Sequence, residues 1–533
     1  MSILLPASKW IERIQIWNRY TREQFEQIYG TSPTALDNRR EAYISLLKAF
    51  QEKYGNKNVI IARSTGRANL MGRHIEHRGG SINVICINRE VLLAASPRND
   101  DRVHLSDLCP RFFDNSFSIN RDYNLYQTNN WKHFIESEPI LSLVQQSKGE
   151  WINYIRAAVL RLQMAYPHIP MRGMDMMFSG DIPCAAGVSS SSAMVVSTME
   201  AAVALNQIPI SDKDFVELCG EGEWFVGSRG GAGDHGAMKC GLRGKITHLN
   251  FFPFSIGKSV TFPGDYQLIV ANSFEEAKKS AGAKDIFNQK VACYVFALMM
   301  IKKMFPHHAP NLHYFRDINP DTLRVGQDKI YSMLLALPER VTHQELYSML
   351  PECREEIEEV QKCHRIPDHY DIRGVALYGI AECMRAKKCI DMLDNGDYPS
   401  LGRLMNISHD GDRVNKNGKP FSYQVSDEYL EGLIADIRSG DPVRVERAQL
   451  YYQPGAYGCS TSTIDEMIDF VNNCDGVVGS ELAGAGLGGC ILILVHHAHA
   501  KNLLSTLQKL YYEKRNLPMG ADIYTPIGGS LVL

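Results

Sequence analysis

Four stretches of this chain hold residues whose types and spacing could do chemistry. The first runs Gly180-Asp-Ile-Pro-Cys-Ala-Ala-Gly187-Val-Ser189-Ser190-Ser191-Ser192-Ala193. It follows an apolar run, Met174 to Phe178, that reads as a strand, and opens into a helical segment, Met194 to Leu205. The first turn of a helix has backbone N–H groups without partners, and the macrodipole adds about half a positive charge there. Gly187 lets an anion approach the backbone and the serine hydroxyls can reach a metal, so the arrangement suits a phosphate cradle. The alternative is an ordinary serine N-cap, although four consecutive serines exceed what capping needs.

The second stretch follows a short strand, Val59 to Ala62, and places Arg67, His74, Glu76 and His77 in one Gly-bounded loop. Alternating cations and carboxylates there suit a ligand with many hydroxyls; a solvated surface loop is the alternative. In the third, Asp234 sits in the turn Gly-Gly-Ala-Gly-Asp-His-Gly. A carboxylate held on a tight turn can take a proton from a bound hydroxyl, but aspartate favours such turns anyway. The fourth, Gly484-Ala-Gly-Leu-Gly-Gly489, precedes a strand, Cys490 to Val495, rather than opening a helix. That fits a dinucleotide fingerprint poorly and suits a backbone loop pressed against a ligand or another loop, or a structural turn. The pairs His307/His308 and His496/His497 have no complementary ligands at metal spacing and read as surface or packing residues.

These stretches need a scaffold, and 533 residues suffice for two or more domains. A net charge of -3 gives no ground for a nucleic-acid or membrane-surface partner. The 13 cysteines form no Cys-x-x-Cys pair, as free thiols in a reducing compartment would. With no signal-like segment and no apolar run of membrane-spanning length, the expectation is a cytoplasmic globular protein. Residues 1–55 read as a helical extension, with apolar spacing at Tyr43, Leu46, Leu47 and Phe50. Ser81 to Ala95 is β-rich, 97–130 polar and irregular, and 149–166 an amphipathic helix beginning at Trp151, Tyr154 and Ile155. The region 306–370 reads as a helical insertion.

Three motifs in order make the chain resemble the GHMP small-molecule kinase superfamily, and within it the galactokinase and galacturonokinase branch. They are Gly66-Arg-Ala-Asn-Leu-Met-Gly-Arg-His-Ile-Glu-His-Arg-Gly-Gly80, the serine loop, and Gly484–Gly489 before its strand. The resemblance covers residues 56–290 and 370–533. It implies an α+β, two-domain GHMP kinase fold with the active site in the cleft between the domains: 56–265 as the N-terminal domain with the ATP-binding serine loop, and 266–533 as the C-terminal domain. It also implies transfer of the γ-phosphoryl of ATP, with Mg²⁺, to the anomeric hydroxyl of galactose or a related hexose. By the same resemblance Asp234 takes the sugar proton, and Arg67 faces it and neutralises charge at the transferred phosphoryl. Gly187, Ser189, Ser190, Ser191, Ser192 and Ala193 would bind ATP, Trp151 and Tyr154 would line its adenine pocket, and Ser191 and Glu223 would hold the metal. Arg73, His74, Glu76 and His77 would read the sugar. The expected partners are sugar and ATP, in a monomer or small homo-oligomer.

The sequence departs from galactokinases where they read sugar. Arg73 stands where the family has glutamate, Glu76 where it has aspartate and His77 where it has tyrosine; a tyrosine is also missing near Asp285 and Ile286. In the third motif a usual basic residue and threonine become Glu481 and Ala483. Arginine matches a carboxylate bidentately, so an alternative substrate is a uronic acid such as galacturonate. A catalytically silent sugar sensor is the alternative from another class, and the intact serine loop, Arg67 and Asp234 speak against it. An apolar alcohol as acceptor fits poorly with the charged Arg73–His77 cluster.

Overall fold

Alternation along two long strands decides the first layer of the structure. In Asn58–Met71 and Ile82–Pro97 successive side chains leave on opposite faces. Ile60, Ala62, Leu93 and Ala95 enter one core, and Val59, Ile61, Leu92 and Ala94 enter another. Both faces of this sheet are therefore buried, which is why the strands read as nearly continuous apolar runs. The computed structural model describes residues 3–184, 186–227, 230–276 and 282–533. Ala185 of the serine stretch and Ser228 and Arg229 of the Gly-rich turn lie outside the described residues.

Among the described residues the sheet has nine strands: the path Leu5–Pro6, Asn58–Met71, Ile82–Pro97, Met174–Gly180, Arg102–Asp107, Asn115–Ser118, with Lys245–Asn250 paired to Ile82–Pro97, Ser255–Thr261 paired to Lys245–Asn250, and Leu531–Val532 paired to Asn58–Met71. All pairings are antiparallel except Arg102–Asp107 against Met174–Gly180. One face carries the helices Ile152–Ala165 and Ser190–Asn206, whose apolar residues join the first core. The other is covered by the N-terminal helices Ala7–Ile16, Arg19–Tyr29 and Pro33–Tyr54, through Trp10, Ile14, Phe25, Tyr43, Leu46, Leu47 and Phe50. The chain's last strand, Leu531–Val532, returns to pair with Ala62 and Arg63, so the tail packs with the first sheet.

A second, four-stranded antiparallel sheet is ordered Val477–Leu482, Cys490–His496, Tyr266–Asn272, Ala521–Tyr524. Beside it stands a helical lobe around Ala283–Met304 and Ile372–Asp394, with a core of its own that includes Leu312, Tyr331, Leu346 and Ile357 from the 306–370 region. The result is an α+β fold. Among the described residues no helix is long and apolar enough to cross a membrane. All 13 cysteines are free thiols.

Four placements differ from the sequence expectation, and the first three move functional residues. The strand expected at Val59 to Ala62 runs on to Met71, so Arg67 lies within a strand and the loop begins only at Gly72. The serine helix starts at Ser190, not Met194, because serines tolerate a first helical turn as well as a loop. Asp234 lies in the first turn of a helix, Gly233–Cys240, rather than in a free turn. The region 97–130, expected to be irregular, holds two strands and a short helix.

Candidate active site

The serine stretch, the strand Asn58–Met71 and the helix Gly233–Cys240 converge on one carboxylate. Arg67 Nε donates to Asp234 Oδ1 at 2.7 Å, and Arg67 Nη1 donates to the Gly187 carbonyl at 2.6 Å. The Ser189 hydroxyl donates to Asp234 Oδ2. The Arg67 side chain is 8% exposed and that of Asp234 32%, so the carboxylate keeps an open edge while its charge is fixed from behind. Burial pushes its pKa up, but Arg67, the Ser189 hydroxyl and His235 together outweigh burial and hold it below the ordinary carboxylate range. An ionised carboxylate beside the N-terminus of the serine helix can orient or deprotonate a hydroxyl.

Backbone close approach builds the loop. Gly187 has φ +76°, and a Cβ there would lie 2.6 Å from the Ala483 carbonyl; a Cβ on Gly484 would lie 2.6 Å from the Gly187 carbonyl. The Cys490 N–H donates to the Ala186 carbonyl at 3.0 Å. The third glycine motif is thus pressed on the serine loop, the loop-against-loop reading of Gly484–Gly489. Ser189 itself adopts φ +65°, an uncommon conformation for a residue with a Cβ, and that turn aims its hydroxyl at Asp234. Ser190 and Ser191 are half-buried in the first turn of the helix, and Ala193 is wholly buried below them.

The candidate metal ligands meet with one change. Glu223 Oε1 accepts from the Ser192 hydroxyl at 2.8 Å, one residue beyond the expected Ser191. One carboxylate and neighbouring hydroxyls beside a phosphate cradle are a donor set that fits Mg²⁺ completed by phosphate oxygens. Among the described residues no group of three or more His, Cys, Asp or Glu could hold a metal by itself. Trp151 is placed differently from expectation. Its ring is turned into the core against Phe178, its indole N–H donates to the Phe113 carbonyl at 3.1 Å, and it has almost no open face for a base. Tyr154, on the same helix, is half-buried against the same core.

The sugar-loop residues divide into two pairs. Arg73 is 2% exposed and enters the C-terminal half. It contacts Glu481, donates to Ser408 Oγ at 2.9 Å, and lies 3.3 Å from Asp412. The Gly72 and Arg73 N–H groups donate to Glu382, which also pairs with Arg385 at 2.6 Å. His74 lies 3.4 Å from Asp412 and stacks on Tyr457 at 4.3 Å. Burial raises the Asp412 pKa, but His74 first and then Arg73 and His409 bring it down to about 2. The expectation that Arg73 is open to a substrate carboxylate is therefore corrected: its guanidinium is buried against Glu481, Asp412 and Ser408, and burial raises the Glu481 pKa to about 8 against the opposing pull of Arg73.

Glu76 and His77 turn the other way. Cβ atoms on Gly231 and Gly233 would lie 2.8 and 3.0 Å from Glu76 Cγ, so the glycines let Glu76 pack against the segment bearing Asp234. His77 Nδ1 lies 3.7 Å from Glu76 Oε1, and among the described residues neither of its buried ring nitrogens has a hydrogen-bond partner. Burial lowers the His77 pKa, with Glu76 opposing it. Among the described residues the buried hydroxyls of Tyr294 and Tyr457 likewise have no hydrogen-bond partner. These rings form one row, with His77 to Tyr294 at 6.1 Å, Tyr294 to Tyr457 at 5.8 Å and Tyr457 to His74 at 4.3 Å. Tyrosine thus reaches the His74–His77 segment from elements other than the Asp285–Ile286 segment. Sequence reasoning missed Tyr294, Tyr457, Asp412 and Glu382, which lie in no motif. For Glu481 a signal existed: two departures of opposite charge in separate motifs.

Comparison with known proteins points to one family. The family model described as galactokinase galactose-binding signature matches residues 48–97, that of the GHMP kinases N terminal domain 153–241, and that of the GHMP kinases C terminal 433–513. A galactokinase of Schizosaccharomyces pombe is 24% identical over 500 residues, covering 89% of this chain and 90% of that protein. A galactokinase of Roseiflexus sp. is 24% identical over 471 residues, covering 88% and 91%. The crystal structure of Lactococcus lactis galactokinase complexed with galactose matches the fold with a TM-score of 0.63 at 18% identity, covering 91% of this chain and 98% of that one. With both GHMP kinase halves, the galactokinase signature and the shared fold in one polypeptide, the chain is a galactokinase-like member of the GHMP kinase family.

Proposed function

We propose that this protein is an ATP-dependent sugar kinase that moves the γ-phosphoryl of ATP to the anomeric hydroxyl of galactose or a closely related hexose. The observation that carries the reading is the Arg67–Asp234–Ser189 constellation at the N-terminus of the serine helix. Phosphoryl transfer needs positioning and charge neutralisation more than covalent chemistry from the protein. The helix N-terminus and the loop N–H groups hold the phosphates. Asp234 accepts or orients the sugar hydroxyl, and Arg67 keeps it ionised and stands beside the charge that develops on the transferred group. Glu223 and Ser192 are the residues that would hold Mg²⁺, which would supply charge neutralisation for the transferred phosphoryl when bound.

Among the described residues the buried His77 ring nitrogens and the Tyr294 and Tyr457 hydroxyls lack hydrogen-bond partners, which supports a ligand rich in hydroxyls beside them. Each such buried group costs about 1–3 kcal/mol unless a ligand or water meets it. The relatives called galactokinases support galactose as the acceptor. A uronic acid loses its main ground once Arg73 is occupied by Glu481, and engagement of Asp234 by both Arg67 and Ser189 argues for an enzyme over a silent sensor. Cytoplasmic location and a monomer or small homo-oligomer remain the reading from sequence. The test is ADP release from ATP and Mg²⁺ with galactose, galacturonate, glucuronate, N-acetylgalactosamine, arabinose and fucose. Galactose as the preferred acceptor is expected; turnover of galacturonate at least tenfold above galactose would reinstate the uronate reading.

A further inference from the structure

The N-terminal helices do more than cover a sheet. Arg39, in the helix Pro33–Tyr54, reaches three acceptors at once: Glu90 Oε1 at 3.1 Å, the Asn88 carbonyl at 2.9 Å and Asp181 Oδ2 at 2.9 Å. Asp181 is the second residue of the serine stretch. Its other oxygen accepts from the Glu90 N–H at 2.6 Å and its own N–H donates to the Glu90 carbonyl at 3.1 Å, so the start of the stretch is pinned to the strand Ile82–Pro97.

Glu90 has a fully buried side chain and is a hub. Tyr29 of the second N-terminal helix donates to it at 2.8 Å, and Arg63 Nε donates at 2.6 Å. Arg63 Nη1 in turn donates to the Gly528 and Gly529 carbonyls at 3.0 and 2.5 Å. The tail continues into the site's own helices. Gly529 and Ser530 N–H donate to the Gly241 and Met238 carbonyls at the end of the Asp234 helix, and Ser530 Oγ donates to Glu200 of the serine helix at 2.7 Å.

We propose that the N-terminal helical extension is a positioning element of the nucleotide site, and that Arg39 transmits it by fixing Asp181 and Glu90. The inference rests on the reading of the serine stretch as the nucleotide loop. Charge-assisted hydrogen bonds of this kind are strong and directional, and a planar guanidinium serves three acceptors where an ammonium cannot hold the same geometry. Arg39 touches no substrate; it acts through Asp181.

The test is titration of the full-length chain with a fluorescent ATP analogue, beside sugar KM values and thermal unfolding, for Arg39→Gln, Arg39→Lys, Asp181→Ala and Arg39→Gln/Asp181→Ala. Asp181 is 44% exposed at its side chain, so its variant should fold even if Arg39→Gln is weakened. The expected result is an analogue Kd raised about tenfold in Arg39→Gln and in Asp181→Ala, no further loss in the double variant, partial rescue in Arg39→Lys, and a sugar KM within twofold of wild type. An analogue Kd within twofold of wild type in Asp181→Ala, with only the unfolding temperature lowered, would overturn it, as would a parallel loss of sugar affinity. Wild-type protein that binds the analogue but phosphorylates no sugar would refute the kinase reading and leave this inference testable by the same Kd values.

Discussion

The ion pair between Arg73 and Glu481 gives the sharpest quantitative prediction. Arg73 follows the first-sheet strand Asn58–Met71, and Glu481 lies in the second-sheet strand Val477–Leu482, so the pair ties the two halves together. Both side chains are at most 1% exposed, and Glu382 and Asp412 stand close by. Removing Arg73 leaves Glu382, Asp412 and Glu481 buried without its charge, and breaking such a buried pair typically costs about 3–5 kcal/mol, a large share of the roughly 5–15 kcal/mol that holds a domain together. Arg73→Glu is the harsher single change, because it adds a fourth carboxylate to Glu382, Asp412 and Glu481. Arg73→Glu/Glu481→Arg restores an opposite pair but not the Ser408 and Asp412 contacts of Arg73. Urea unfolding of wild type, both singles and the double should give a coupling energy of about 2–3 kcal/mol, with the double more stable than either single. A double variant no better than its worse parent would refute the claim that these two departures form one reciprocally inverted pair.

Arg67→Gln should lower kcat by about 10²–10³-fold, as loss of a preorganised charge does. It should also move the acid limb of kcat/KM upward: without Arg67 burial dominates, the Asp234 pKa rises, and activity falls at a higher pH as Asp234 takes a proton. Ser189→Ala and Ser189→Gly both remove the hydroxyl bound to Asp234, and each should lower kcat about 10- to 150-fold, by the roughly 1.5–3 kcal/mol of a hydrogen bond to a charged group. Ser189→Gly should nevertheless melt at a higher temperature than Ser189→Ala, since glycine enters the left-handed region without strain. Gly187→Ala should abolish tight nucleotide binding, because its Cβ meets the Ala483 carbonyl; Gly55→Ala, at a similar φ but in open space, should leave binding unchanged and is the control for backbone strain.

Much of this was legible in the sequence because the site is built from local motifs. The serine stretch, Gly484–Gly489, Arg67 and Asp234 each carry their geometry in a few residues, and the structure brings all four together. What sequence could not place were contacts set by tertiary packing. Arg73 looks open when read along the chain, since nothing nearby neutralises it, and its partner lies more than four hundred residues away in Glu481. Trp151 has the spacing of a pocket residue, yet at the N-cap of the helix Ile152–Ala165 its ring turns into the core against Phe178. The strand through Arg67 was hidden because the segment Arg63–Asn69 is polar, and a buried polar strand resembles a loop in composition. Its side chains are tolerated there by Glu90, Asp234 and backbone carbonyls. The N-terminal helices were plain from their periodicity, but their link to the serine stretch through Arg39 and Asp181 was not.

The central claim is that Asp234, held by Arg67 and Ser189 at the mouth of the serine helix, is the group that handles the acceptor hydroxyl. Wild-type protein and Asp234→Asn should be incubated with ATP, Mg²⁺ and galactose, the product followed by phosphorus NMR, and ATP-analogue binding measured in parallel. The account predicts a phosphate on the anomeric oxygen for wild type, and for Asp234→Asn a rate lowered by about 10²–10⁴-fold with nucleotide affinity preserved. Turnover by Asp234→Asn within tenfold of wild type, or phosphate on another hydroxyl, would contradict it.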